Sequence, residues 1–306
     1  MKRQLLLLTG FCLLALNISQ AQDYLIQANY CFDRGEYDCA KRNYGAYKLQ
    51  TSAYGMDEKI GQCDKCLQIL TSANLLFSQK DFSKAKDKYE ELLAINPKDP
   101  HARTRIEICN NELTTPKSLY EKGTISYDQG KYAEAIEWFR KAAEQGYAEA
   151  QNDLGYMYRS GEGVTQNYAE AVRWYARAAE QGHTTAQNNL GNMYYNGYGV
   201  NKDYAEALKL YRKAADKGNE KAQFNMGNMY FYGLGVTRDN VEALKWFIKA
   251  AEQNDMQAQN TLGFMYENGN GAPKDRTEAI RWYTRAAAQG SQNARTSLTR
   301  LTGSSK

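Results

Sequence analysis

An all-α fold, a solenoid of stacked antiparallel helix pairs, is what this sequence predicts, and two observations carry the prediction. The phrase LGYMYRSGEGVTQNYAEAVRWYARAAEQG, from Leu154 to Gly182, returns in related form from Leu190, Met226 and Leu262, a period of 36 residues. Each copy holds two apolar stripes at helical spacing, separated by a Gly-x-Gly element. A chain of 306 residues could form two ordinary domains, but a fixed internal period makes length a count of units instead.

Within one unit, Leu154, Met157 and Tyr158 share a helix face at i, i+3 and i+4, and Gly155 lets a neighbouring backbone approach it closely. This is helix A. After the glycine turn, Tyr168, Ala171, Tyr175 and Ala178 form the stripe of helix B, and Gly182 supplies the left-handed residue that ends it. One such hairpin cannot bury its own stripes, so each unit needs neighbours on both sides.

The signature A-Q-x-x-L-G-x-M-Y, then G-x-G-V, then A-x-x-W-Y-x-x-A-A resembles Sel1-like repeats, relatives of the tetratricopeptide repeat. Four copies are expected at 148–183, 184–219, 220–255 and 256–291, with small departures at Met226, Leu210 and Ala272. The resemblance implies a right-handed superhelix with helix A on the concave side, and an adaptor role in assembly or signalling. Upstream, the phrase from Leu119 lacks four residues of the later period and resembles a tetratricopeptide unit, expected over 116–147. The stretch Ala73 to Pro100 resembles that family through Ala73, Phe82, Ala85, Tyr89 and Pro97, and a looser copy starts at Ala28. Each is followed by an extra helical phrase, Lys59 to Leu67 and Arg105 to Leu113, so residues 22–115 are expected to form two three-helix units. Pro116 discourages helix at Thr115 and marks the boundary. Residues 292–306 are expected to cap the array, with Ala294, Leu298 and Leu301 on one face.

Residues 1–21 read as an export signal: Lys2 and Arg3, the apolar run Leu5 to Leu16, then Ser19-Gln20-Ala21 before a cut at Gln22. The product would be periplasmic or extracellular, without stable membrane insertion after cleavage. Its 37 basic and 35 acidic residues give no electrostatic case for nucleic acid.

Catalytic constellations are thin, and the expectation is no enzyme, no cofactor and no metal. His101 and His183 stand apart from any second ligand. The Gly-x-Gly elements lack the preceding strand, third glycine and Lys-Ser/Thr of phosphate loops. Glu170, Glu206, Glu242 and Glu278 recur once per unit at helix starts, where the helix dipole favours them. Export permits disulfides, and Cys31 and Cys39 flank the turn at Gly35 where their side chains could meet. Cys63-x-x-Cys66 resembles a redox or metal half-site but sits in a helical phrase, and Cys109 leaves the count odd. A cysteine-rich, exported branch of the Sel1-like family, to some of whose members penicillin-binding or β-lactamase activity is attributed, carries paired cysteines where this chain has Ala143 with Gln151, Ala179 with Gln187, Ala215 with Gln223 and Ala251 with Gln259. That departure argues against the activity.

Away from the core stripe of helix A lie Asn152 and Tyr156, then Asn188, Asn192 and Tyr195, then Phe224, Asn228 and Phe231, then Asn260 and Phe264, together with Arg159 and Glu267. Carboxamides both donate to and accept from an extended backbone, and large rings supply contact energy. The expected partner is therefore a protein or peptide in the groove. The rival reading is a cell-wall-directed enzyme or a glycan-binding protein whose rings stack on sugars.

Overall fold

The computed structural model describes residues 19–51, 53 and 56–303, and every regular element among them is a helix. The charged start and apolar run of the expected export signal lie outside the described residues. No described helix is long and apolar enough to cross a membrane. The chain divides into two compact units, residues 1–118 and 119–306.

In the first unit, α1 (19–33) turns at Gly35 into α2 (Tyr37–Thr51), followed by α3 (Met56–Ser78), α4 (Phe82–Ile95) and α5 (Pro100–Leu113). Successive helices pack around Tyr37, Tyr44, Tyr89, Leu92 and the buried cysteines. Asp99 does two jobs here. One carboxylate oxygen caps α5 by accepting from the backbone N–H of His101 and Ala102, and the other accepts from Tyr37 Oη at 2.6 Å. The two three-helix units expected from the sequence are not formed. Lys59–Leu67 and the helix expected from Ala73 are one 23-residue helix, because Gln68 to Ser72 between them contain neither glycine nor proline to stop it.

In the second unit α6 (Pro116–Asp128), whose first turn contains the unit boundary, pairs with α7 (Tyr132–Glu144). Four pairs follow, each a helix A and a helix B: α8 (Ala148–Ser160) with α9 (Tyr168–Glu180), α10 (Thr184–Asn196) with α11 (Tyr204–Asp216), α12 (Glu220–Tyr232) with α13 (Asn240–Glu252), and α14 (Met256–Asn268) with α15 (Arg276–Ala288). The last helix, α16 (Gln292–Thr302), closes on α15 and α14. This is an α-solenoid.

Three contacts recur in it. First, each helix A carries a glycine against which its own helix B lays a buried ring. A Cβ on Gly155, Gly191, Gly227 or Gly263 would come within 2.5–2.8 Å of the ring of Tyr175, Tyr211, Phe247 or Tyr283. Second, the loop glycines Gly163, Gly199, Gly235 and Gly271 adopt positive φ and lie on the first residue of the preceding helix B, Tyr132, Tyr168, Tyr204 or Asn240, so closely that a Cβ would approach its backbone to 2.1–2.6 Å. The Gly-x-Gly elements are therefore seats between repeats. Third, a buried glutamine in the first turn of each helix A reaches back to the end of the preceding helix B. Gln151, Gln187, Gln223 and Gln259 donate from Nε2 to the carbonyls of Ala143, Ala179, Ala215 and Ala251 at 3.0–3.2 Å.

The other end of that glutamine is held as well, with one exception. Gln181, Gln253 and Gln289 donate to the Oε1 atoms of Gln151, Gln223 and Gln259 at 2.7–2.8 Å. The equivalent residue for Gln187 is Lys217, which donates to the Gly182 carbonyl instead, and Gln187 Oε1 is buried without a partner. Helix B starts are uniform: Asn167, Asp203, Asp239 and Asp275 cap them by accepting from the backbone of Glu170, Glu206, Glu242 and Glu278. Those glutamates pair with Arg173, Lys209, Lys245 and Arg281 one turn on, which explains their recurrence without catalysis.

Two outcomes follow for thermal unfolding. Gly227→Ala gains about 1 kcal/mol of helix propensity but drives a methyl into the fully buried Phe247 ring, and overpacking of that kind costs about 1–3 kcal/mol. The variant melts lower, whereas Gly61→Ala, with open space at its Cβ inside α3, melts higher. Lys217→Gln gives Gln187 its missing donor, a net gain of about 1 kcal/mol that raises Tm by roughly 2–4 °C. An unchanged or lowered melt for Lys217→Gln would show that the orphaned oxygen costs nothing.

Candidate partner-binding face

The helix A residues expected to face a groove fall into two groups by what they touch. Asn152 and Asn188 are buried, 9% and 6% exposed, because the next helix A uses them. Asn189 Nδ2 donates to Asn152 Oδ1 at 3.1 Å, and Asn225 Nδ2 donates to Asn188 Oδ1 at 2.8 Å. Asn192 is engaged too, since its Oδ1 accepts from Tyr211 Oη at 2.7 Å. These amides form a ladder between repeats.

Several rings are also packed in part against neighbouring elements, which leaves them half-exposed on this face. Tyr195 is half-buried against Tyr204, with ring centroids 5.3 Å apart, and joins the core around Tyr211. Phe231 is half-buried beside Tyr232 and under the Arg238 guanidinium, and Phe224 tilts onto Phe247 at 5.6 Å. The helix drift explains this: these positions sit at the edge of the apolar stripe, where the following loop and helix B fold over them. Tyr156 is held by its hydroxyl, which donates to Glu162 at 3.2 Å. Arg159 lies over the Tyr156 ring, and Glu267 is taken by Arg300 and Tyr283.

The ladder stops at the third repeat. There Phe224 and Thr261 stand where earlier repeats have an Asn pair, and the face opens into a recess of about 250 Å³. Asn228, Phe231, Asn260 and Phe264 line it, with Thr261 and Tyr283. Phe264 is 45% exposed, and Asn260 Oδ1 is buried without a hydrogen-bond partner. The sequence reading missed Asn189 and Asn225, the ladder donors, and Thr261 and Tyr283 in the recess. The signal was present in the recurring Gln-x-x phrase, where the third residue of one repeat meets the second residue of the repeat before it.

His183 is a helix cap: its Nδ1 accepts from the backbone N–H of Ala186 at 3.1 Å. His101 opens α5 beside Asp99. Cys31 and Cys39 are joined as a disulfide across the Gly35 turn, Cα to Cα 5.8 Å. Burial pushes the Cys63 and Cys66 thiols up to about 11 and raises Cys109 as well, so none is a thiolate near neutral pH. Their Cys-x-x-Cys spacing lies along the interior face of α3.

Residues 148–183, 184–219, 220–255 and 257–291 each match the Sel1 repeat. The chain belongs to the Sel1 repeat family. Residues 116–145 match a tetratricopeptide repeat. Among solved structures, it is 34% identical to a Sel1 repeat protein from Oxalobacter formigenes, with 76% of this chain and 86% of that one covered and a TM-score of 0.58. It is 43% identical to c5321, described as a protective antigen present in uropathogenic Escherichia coli strains displaying an SLR fold, over 63% of this chain, with a TM-score of 0.60. This Sel1 repeat chain spans 42% of the length of c5321. Comparison with the curated proteins returns no match.

Alkylation read by peptide mass spectrometry checks the cysteine assignment. In unreduced native protein Cys63, Cys66 and Cys109 resist iodoacetamide at pH 8, and all three react once the chain is unfolded. Cys31 and Cys39 react only after reduction; their labelling without reductant would remove the bridge.

Proposed function

We propose that this Sel1 repeat protein is an exported, non-catalytic scaffold that binds a protein or an extended peptide along its helix A face. One observation carries the reading: at the recess where the Asn ladder stops, Asn228 and Asn260 have amide groups not spent on neighbours, beside the exposed ring of Phe264. Such a place offers a peptide backbone donors and acceptors, and an apolar side chain a ring to close over. The earlier amides, Asn152, Asn188 and Asn192, shape the face from within, and Tyr156 and Tyr195 border it. Export rests on the N-terminal charge and apolar pattern and on the disulfide, which persists in oxidising compartments.

Affinity capture from the envelope fraction of the native cell, using mature protein, supplies the partner for titration. Phe264→Ala then weakens binding by about 2 kcal/mol with an unchanged melt, and Asn228→Ala by about 1 kcal/mol. The same preparation neither turns over nitrocefin nor sediments with peptidoglycan. Turnover, or sedimentation that Phe264→Ala abolishes, would replace the scaffold by the enzyme or the glycan-binding reading.

A further inference from the structure

A second recess, of about 300 Å³, lies between α6 and α8 at the other end of the same unit. Its walls are Tyr127, Phe139, Tyr156 and Met157, with Asp128 at the edge and Asp153 in the wall. Tyrosine hydroxyls organise the carboxylates around it. Tyr127 and Tyr156 donate to the two oxygens of Glu162 at 2.7 and 3.2 Å, and Asp153 accepts from Tyr120 at 2.9 Å and from Asn152 at 3.0 Å. No lysine or arginine among the described residues forms an ion pair with Asp128, Asp153 or Glu162; the side-chain donors that serve the last two are neutral.

Resting on the reading of the helix A face as a protein-binding surface, we propose that this recess receives the side chain of a lysine or arginine from an extended partner segment. The chemistry of the walls selects that occupant. An anion would meet the Asp128 and Asp153 carboxylates, with Glu162 behind the two tyrosine hydroxyls, and a neutral amide would leave them without a counter-charge. A bare metal ion needs ligand atoms within reach of one another, and the one such group among the described residues is elsewhere, at Cys31, Glu36 and Cys39. A basic side chain satisfies both parts of the wall: its methylene stem lies along the half-buried Tyr127 and Tyr156 rings while its head reaches Asp128 and Asp153. Tyr156 already accepts a guanidinium in this way, with Arg159 5.3 Å from its ring centroid. Burial also holds the Asp153 carboxyl above its ordinary range despite the hydrogen bonds from Tyr120 and Asn152, and a cation arriving beside it would favour its charged form.

The test uses fluorescein-labelled nonapeptides of glycine and serine with one central arginine, lysine, citrulline or glutamate, titrated by anisotropy against the mature full-length chain. Arginine and lysine peptides bind roughly tenfold tighter than the citrulline peptide at about 50 mM NaCl, and the margin shrinks at about 500 mM. Asp153→Asn and Asp128→Asn each reduce that margin at least threefold, while Glu180→Gln, far along the exposed surface of α9, leaves it alone. Asp128 is exposed, so its variant decides the matter even where Asp153→Asn unfolds the chain. Arginine binding no better than citrulline, or a margin indifferent to Asp128→Asn, overturns the cation site. If a captured partner still depends on Phe264 in that event, the scaffold reading stands without it.

Discussion

Within the second unit, the arrangement depends on one kind of contact: an aromatic ring of helix B packed closely on the backbone of helix A at a glycine. It occurs at Gly123, Gly155, Gly191, Gly227 and Gly263, and in each case a single added methyl would overlap the ring. The rings are Phe139, Tyr175, Tyr211, Phe247 and Tyr283, none more than 2% exposed. With the pair fixed at this separation, the ends of the helices are fixed too. The loop glycine then rests on the preceding helix B, and the glutamine of helix A meets the carbonyl at its end. A buried amide answered at both ends is worth little net stability but is costly to leave open, so it specifies register more than it adds energy. The Gln–carbonyl clamp occupies the positions where a cysteine-rich branch of the family is expected to place disulfides, and it performs the same linking of successive units by hydrogen bonds.

Because stacking is settled by residues on the inner stripe, the outer edge of helix A is free to differ from repeat to repeat. Polar side chains there either close on each other or remain open. The Asn152–Asn189 and Asn188–Asn225 pairs close. Phe224 and Thr261 break the series, and Asp153, placed where the next two repeats have Asn189 and Asn225, brings charge to the other end. One face thus carries an amide and aromatic recess at α12–α14 and an acidic, tyrosine-rich recess at α6–α8.

The repeats were legible in the sequence because a 36-residue period repeats each structural demand four times, so Gly155 and Gly182 declare their roles through their equivalents. The Cys31–Cys39 pairing was legible from its turn at Gly35. The first unit was harder. Its copies are loose, and the one sign that α3 runs on was the lack of glycine or proline between Leu67 and Ala73. Facing on helix A was only partly legible: a helical wheel separates core from surface within one helix, but it does not show that Tyr195 will be covered by Tyr204 or that Asn188 will be claimed by Asn225, since both depend on another element. Asp153 was passed over for the same reason, its meaning residing in Tyr120, 33 residues earlier.

If the glutamine clamp sets register, its loss must be felt on both sides of the interface it spans. Native-state hydrogen exchange of Gln223→Leu, resolved by helix, measures this directly. Protection falls in α11 and α12 together and extends to α13, whose Gln253 loses its acceptor on Gln223, while α8 and α9 keep theirs. Exchange that rises in the first turn of α12 alone, with α11 and α13 unchanged, would contradict a solenoid coupled through these clamps.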